Sequence, residues 1–157
     1  MRSEAPRSDS SVIRLMRPGD APRLKEILRW SPEAVDWLPP APTAPTSEAN
    51  DFLLVSETLG EITGFLLARQ AADEAEILNL AVHPANRRAG TATALLNAAL
   101  ENFRTRNASR LFLEVRESNA PAIAFYQKHA FRQVGRRPNY YRQPDEAALI
   151  LERKLPG

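Results

Sequence analysis

The stretch Leu80-Ala81-Val82-His83-Pro84-Ala85-Asn86-Arg87-Arg88-Ala89-Gly90-Thr91-Ala92 decides how this chain is read. An apolar strand runs into a short basic loop, and the loop opens a helix. The first turn of a helix presents N–H groups that lie outside its own ladder, at the positive end of the helix dipole. Gly90 and Ala92 keep side chains small there, so an anionic group can approach the backbone, while Arg87 and Arg88 add positive charge. That makes a cradle for a pyrophosphate. A Walker loop needs Lys-Ser/Thr after its last glycine, where this chain has Thr91-Ala92. A dinucleotide fingerprint needs three glycines, where only Gly90 is present. Taken alone, the stretch is equally a basic loop with an ordinary helix start, and the rest of the chain has to decide.

Before the cradle, Val12 to Arg17 reads as a strand closed by Pro18-Gly19. Asp20 is then expected to cap a helix carrying Pro22 in its first turn and Leu24, Ile27 and Leu28 on one face. Ser31 to Ser47 holds Pro32, Pro39, Pro40, Pro42 and Pro45, which exclude a long helix or a central strand. It reads as an extended loop around Trp30 and Trp37, a candidate substrate wall. Asp51–Glu57 and Ile62–Arg69 form a hairpin about Leu59-Gly60, and Ala75–Val82 is the cradle strand. After the cradle, Leu95, Leu96, Ala99, Leu100 and Phe103 give Thr91 to about Arg106 a helical face. Arg110–Arg116 is a strand, and Asn119 to about His129 a helix capped by Ser118 or Asn119. Phe131–Arg136 and Ala147–Lys154 close the chain as strands. The order βα, loop, βββ, α, β, α, ββ suits a mixed α/β sheet with helices on its faces.

Size and composition bound the function. The chain has 157 residues, of which 43% are hydrophobic, which suits one domain with a real core. Residues 1–11 are polar and lack an apolar stretch, so they read as a disordered leader to a single domain over 12–157. No apolar run approaches the roughly 20 residues of a membrane span. Without cysteine there is no disulfide, no thiolate zinc site and no thiol nucleophile, which fits a cytoplasmic location. A net charge of +2 gives no case for nucleic acid. Arg87-Arg88 and Arg136-Arg137 read instead as local contacts to an anion or substrate. His83 and His129 share no ligand spacing and are expected to be structural, with no metal.

A second motif runs Leu111-Phe112-Leu113-Glu114-Val115-Arg116-Glu117-Ser118-Asn119-Ala120-Pro121-Ala122-Ile123-Ala124-Phe125-Tyr126-Gln127-Lys128-His129-Ala130-Phe131. Together with Arg87-Arg88-Ala89-Gly90-Thr91-Ala92 it resembles the acetyl-CoA signature and the Asn-x-x-Ala-x-x-x-Tyr-x-x-x-Gly-Phe stretch of the GNAT N-acetyltransferase superfamily. The Leu-Glu-Val-Arg-x-Ser-Asn form, followed by Asn139-Tyr140-Tyr141, is similar to the branch that acetylates the N-terminal alanine of a small-subunit ribosomal protein. The resemblance spans roughly Val12 to Leu155. It implies the GNAT fold, a mostly antiparallel sheet of about six to seven strands, splayed between the fourth and fifth. Ala130 departs from the pattern, standing where the family has glycine.

Acetyl transfer to an amine needs an unprotonated nucleophile, stabilisation of charge on the carbonyl oxygen, and a proton for the departing thiolate. Strand alternation puts Phe112, Glu114 and Arg116 on one face. The bland role for Glu114 is an ion pair with Arg116; the resemblance implies the general base, with Glu76 on the cradle strand as a rival. Tyr126, a phenol protonated at neutral pH, is implied as the acid, against a plain core role at helical spacing from Ile123. The resemblance also implies acetyl-CoA along Leu80, Ala81, Val82, Arg87, Arg88, Ala89, Gly90, Thr91, Ala92 and Thr93, with Asn119 on its arm and the N–H of Ala81 or Val82 facing the carbonyl oxygen. Trp37, Glu76, Tyr140 and Tyr141 are candidate contacts to the acceptor, expected to be the N-terminus of a ribosomal or similar protein. A small-molecule amine and a non-catalytic CoA-binding module are the alternatives.

Overall fold

The computed structural model describes residues 11–31, 51–87, 89–142 and 145–156. Of the expected leader over 1–11, residues 1–10 lie outside the described residues, whereas Ser11 opens the first strand; the part of the proline-rich loop that holds Trp37, and Arg88, also lie outside them. Hydrogen-bonded strands follow the order β1-β2-β3-β4-β5-β7-β6, a seven-stranded sheet within the expected range. The chain divides into two compact units, Met1–Ala68 with Asn79–Glu101, and Arg69–Leu78 with Asn102–Gly157.

The first unit holds β1 (Ser11–Leu15), α1 (Ala21–Arg29), β2 (Asp51–Thr58), most of β3 (Glu61–Ala71), the end of β4 (Glu74–Val82) and most of α2 (Thr91–Thr105). β1 lies antiparallel to β2, from Ser11 opposite Thr58 to Leu15 opposite Leu54. The β2–β3 turn places Leu59 at φ 53° and Gly60 at φ 82°, the two left-handed positions of a tight hairpin. In α1, Leu24 and Ile27 are fully buried, while Leu28 is only half-buried. Asp20 stands at the cap position of α1 without capping it. Its carboxylate accepts instead from the Arg17 N–H at 2.7 Å and from the Arg14 guanidinium at 2.9 Å, because charge-assisted bonds outcompete a neutral cap. In α2, Leu95, Leu96, Ala99 and Phe103 are buried as their spacing predicts. The helix meets β3 at Gly64, where a methyl group would lie 3.2 Å from Thr91 and 3.3 Å from Leu95.

The second unit holds the start of β4, β5 (Arg110–Arg116), α3 (Ala120–Lys128), β6 (Arg132–Tyr141) and β7 (Glu146–Lys154). β4 and β5 pair in parallel from Glu74 opposite Arg110 to Ile77 opposite Leu113, and both strands then run on past this register. That end of pairing is where the sheet was expected to splay. β7 lies between β5 and β6, antiparallel to both. α3 is capped by Asn119, whose Oδ1 accepts from the Ala122 N–H at 3.2 Å, and the carbonyl of His129 just past its end accepts from Arg153 of β7 at 2.9 Å. Ala130 follows with φ 70°, so this chain keeps the left-handed step at the end of α3 without the glycine that favours it.

β6 is longer than its sequence suggests. Phe131–Arg136 is the expected strand; the observed strand runs from Arg132 through Pro138 to Tyr141. As the outermost strand it tolerates a missing N–H, and its register with β7 shifts between Arg137 and Tyr141 around Asn139 at φ 55°.

Candidate active site

The cradle is built in the first unit. β4 ends at Val82, a short 3-10 turn covers Pro84–Asn86, and α2 begins at Thr91. The His83 N–H donates to Thr63 O at 2.8 Å, and His83 Nδ1 accepts from the Ala85 N–H at 3.1 Å, so this histidine is structural. The ladder of α2 starts with the Ala94 N–H on Gly90 O at 2.9 Å, and the amides of Thr91 and Ala92 precede it. Gly90 has φ 83°, and among the described residues no atom beyond its chain neighbours lies within 4 Å of where its Cβ would stand. A left-handed residue with an open approach at a helix start fits a pyrophosphate group. Arg87 is turned to the protein: its Nε donates to Val82 O at 3.1 Å and its Nη2 to Trp30 O at 2.8 Å. It braces the end of β4 against the end of α1.

The carboxylates are gathered in the second unit. On β5 the burial alternates, with Leu111, Leu113 and Val115 in the core and Phe112, Glu114 and Arg116 on the other face, as expected. Glu76 and Glu114 line one cavity of about 360 Å³, shared with Arg69, Glu74, Phe112 and Arg137. Burial, and then the charge of Glu114, hold the Glu76 carboxyl above its ordinary pKa, with Arg69 and Arg137 opposing. Glu114 does not pair with Arg116. Its Oε2 lies 2.7 Å from Arg137 Nε, and Glu114, followed by burial, holds the Tyr140 phenol above its ordinary pKa. Arg116 pairs with Glu146 at 3.3 Å and lies over the Tyr141 ring at 4.3 Å. Burial, followed by the charge of Glu114, pushes the Tyr141 phenol up to about 12, and the two tyrosine rings meet edge-on at 5.0 Å.

Tyr126, the expected acid, is buried on α3 and packs edge-on against Phe125 and Phe131, with centroids 5.2 and 5.3 Å away. Burial raises its pKa, so the phenol is protonated over the whole neutral range. Asn119 is the helix cap described above. Among the described residues, no three His, Asp or Glu side chains form a group able to hold a metal.

Sequence reading missed Arg137 as the partner of Glu114, and missed Arg69, Glu74 and Phe112 as cavity walls. No local signal pairs Arg137 with Glu114. The two meet across β7, which lies between their strands in the sheet although it follows both in sequence. The neighbouring Arg136 pairs with Glu117 at 2.9 Å.

The model of the acetyltransferase (GNAT) family matches residues 21–131. Among curated proteins, the chain is 38% identical over 94 residues to the ribosomal protein bS18-alanine N-acetyltransferase of Escherichia coli K12, covering 59% of this chain and 64% of that protein. The enzyme of the same name from Haemophilus ducreyi is 42% identical over 93 residues, with 57% and 64% covered. The chain thus matches just under two thirds of the length of these relatives. The crystal structure of the E. coli ribosomal-protein-S18-alanine N-acetyltransferase superposes with a TM-score of 0.77 at 27% identity, covering 94% of this chain and 95% of that one.

Proposed function

The chain belongs to the acetyltransferase (GNAT) family, and from that premise we propose that it acetylates the N-terminal α-amine of a protein, alanine first, using acetyl-CoA. The acceptor is a ribosomal protein of the bS18 kind or a similar N-terminus, and such an acceptor places the activity in the cytoplasm. The observation that carries the reading is the cavity holding Glu76 and Glu114, with Tyr140 close to Glu114. The names of these relatives support the acceptor class.

In this reading acetyl-CoA supplies an activated acetyl thioester. Amides at Gly90, Thr91 and Ala92 take the pyrophosphate, with Arg87 bracing that loop. Glu114 accepts the proton that the ammonium must lose to become a nucleophile, and Tyr126 returns a proton to the departing thiolate. Tyr140 and Tyr141 wall the slot and limit the first side chain to a small one. An α-amine has a pKa of about 8 against about 10.4 for lysine, which lowers the deprotonation cost at neutral pH by roughly 3 kcal/mol.

The test is a panel of acceptors assayed by mass spectrometry: a peptide beginning Ala-Arg, an N-blocked lysine peptide, and spermidine. Acetylation of the first alone is expected. Preferential turnover of spermidine would assign the cavity to small amines. In the same assay Glu114→Gln and Tyr126→Phe should each lower turnover by about 10²–10⁴-fold with acetyl-CoA affinity retained. Full activity in Glu114→Gln with loss in Glu76→Gln would move the base to β4.

A further inference from the structure

The carboxylate assigned as base is already occupied. Arg137 Nε stands 2.7 Å from Glu114 Oε2. The pair is lopsided: the Arg137 side chain is 59% exposed and that of Glu114 only 18%. Glu114 is held on a strand paired along its length with β7. Arg137 sits on the outermost strand, where register is lost between Arg137 and Tyr141. One partner is therefore fixed and the other can leave into solvent, and pairs exposed to this degree are weak. A guanidinium and an ammonium carry the same charge and both donate to carboxylate oxygens, so they compete for one place.

We propose that Arg137 is a positioning residue that guards Glu114, occupying the place of the acceptor's ammonium and giving way when the acceptor binds. This rests on Glu114 being the base. The guard serves two ends. It keeps the carboxylate oriented in the absence of acceptor, and it withholds the base from water. An unguarded Glu114 takes a proton from water while the water oxygen attacks the acetyl carbon. The C–S bond then breaks, the CoA sulfur leaves and takes up a proton, and acetate is formed, so that thioester is spent without product. Specificity follows as well, because only an acceptor that brings a cation to Glu114 displaces the guanidinium.

The experiment follows free thiol released from acetyl-CoA with no acceptor, and KM and kcat for the Ala-Arg peptide, in wild type, Arg137→Gln and Arg137→Lys. In Arg137→Gln, hydrolysis should rise at least fivefold and the KM for peptide should fall severalfold, with kcat within twofold of wild type. Arg137→Lys, which keeps the cation, should restore low hydrolysis. Adding Glu114→Gln to Arg137→Gln should abolish the extra hydrolysis. If Arg137→Gln fails to fold, Arg137→Met repeats the readings with an uncharged side chain of similar length. Unchanged hydrolysis, or a KM that rises because Arg137 binds the acceptor, overturns the guard. Full peptide turnover in Glu114→Gln alone overturns the base assignment instead, so the two failures are told apart.

Discussion

A methyl group on Gly64 would lie 3.0 Å from the carbonyl oxygen of Ala81. Backbone oxygen cannot yield as a side-chain tip does, and Thr91 and Leu95 close the space from the side of α2. Gly64 thus sets how near the start of α2 comes to the strand that ends in the cradle. Gly64→Ala is expected to destabilise the protein by about 1–3 kcal/mol, as overpacking does, and to weaken acetyl-CoA binding. Thermal melting and calorimetric titration measure the two effects. A wild-type melting temperature together with wild-type affinity would show that α2 has slack there.

Gly90 presents the opposite case, with left-handed backbone and open space beyond it. Gly90→Glu puts an anion where the pyrophosphate is assigned, and should abolish acetyl-CoA binding in a protein that still gives a folded circular dichroism spectrum. Gly90→Asn is the control, since asparagine adopts this conformation at lower cost than other side chains. It should bind more tightly than the Glu variant. Equal affinity in wild type and Gly90→Glu would remove the cradle.

Glu76 should cost stability at neutral pH. Its carboxyl is held above the ordinary 4.5 by burial and by Glu114. A group with a raised folded pKa binds its proton more tightly in the folded state, so stability is highest below the unfolded value and declines as pH rises through the folded one. Glu76→Gln should therefore raise the urea midpoint at pH 7 and change it little at pH 4. A larger gain at pH 4 than at pH 7 would reverse the sign and the account.

Among the described residues, Leu59, Ala72 and Ala130 stand where glycine or asparagine is favoured. Ala130 has φ 70° and Leu59 has φ 53°, the latter 85% exposed on the hairpin turn. Left-handed geometry costs a residue with a Cβ about 1–2 kcal/mol, part of which glycine returns as unfolded-state entropy. Ala130→Gly and Leu59→Asn are each expected to raise the melting temperature by about 2–4 °C, read by calorimetry. A fall in either would mean that side-chain packing at that position outweighs the backbone strain.

How far the sequence carried the reading depends on the range of each interaction. Periodicity alone identified the buried face of α2, the alternation on β5 that brings Glu114 out beside Phe112 and Arg116, and the hairpin at Leu59-Gly60. Each is set by neighbours within a few residues. The end of β4 and the start of α2 after Gly90 were legible for the same reason, since they lie close together along the chain. Tertiary contacts decided the rest. Asp20 left its cap on α1 because the Arg14 guanidinium of β1 and the Arg17 amide together hold its carboxylate. Pro138 did not end β6, because an outer strand needs no ladder bond on its free side. Above all, Glu114 found Arg137 in place of Arg116, and Arg116 found Glu146. These pairings follow from β7 lying between β5 and β6, an order fixed by how the whole sheet buries its apolar faces. No local pattern along the chain encodes that order.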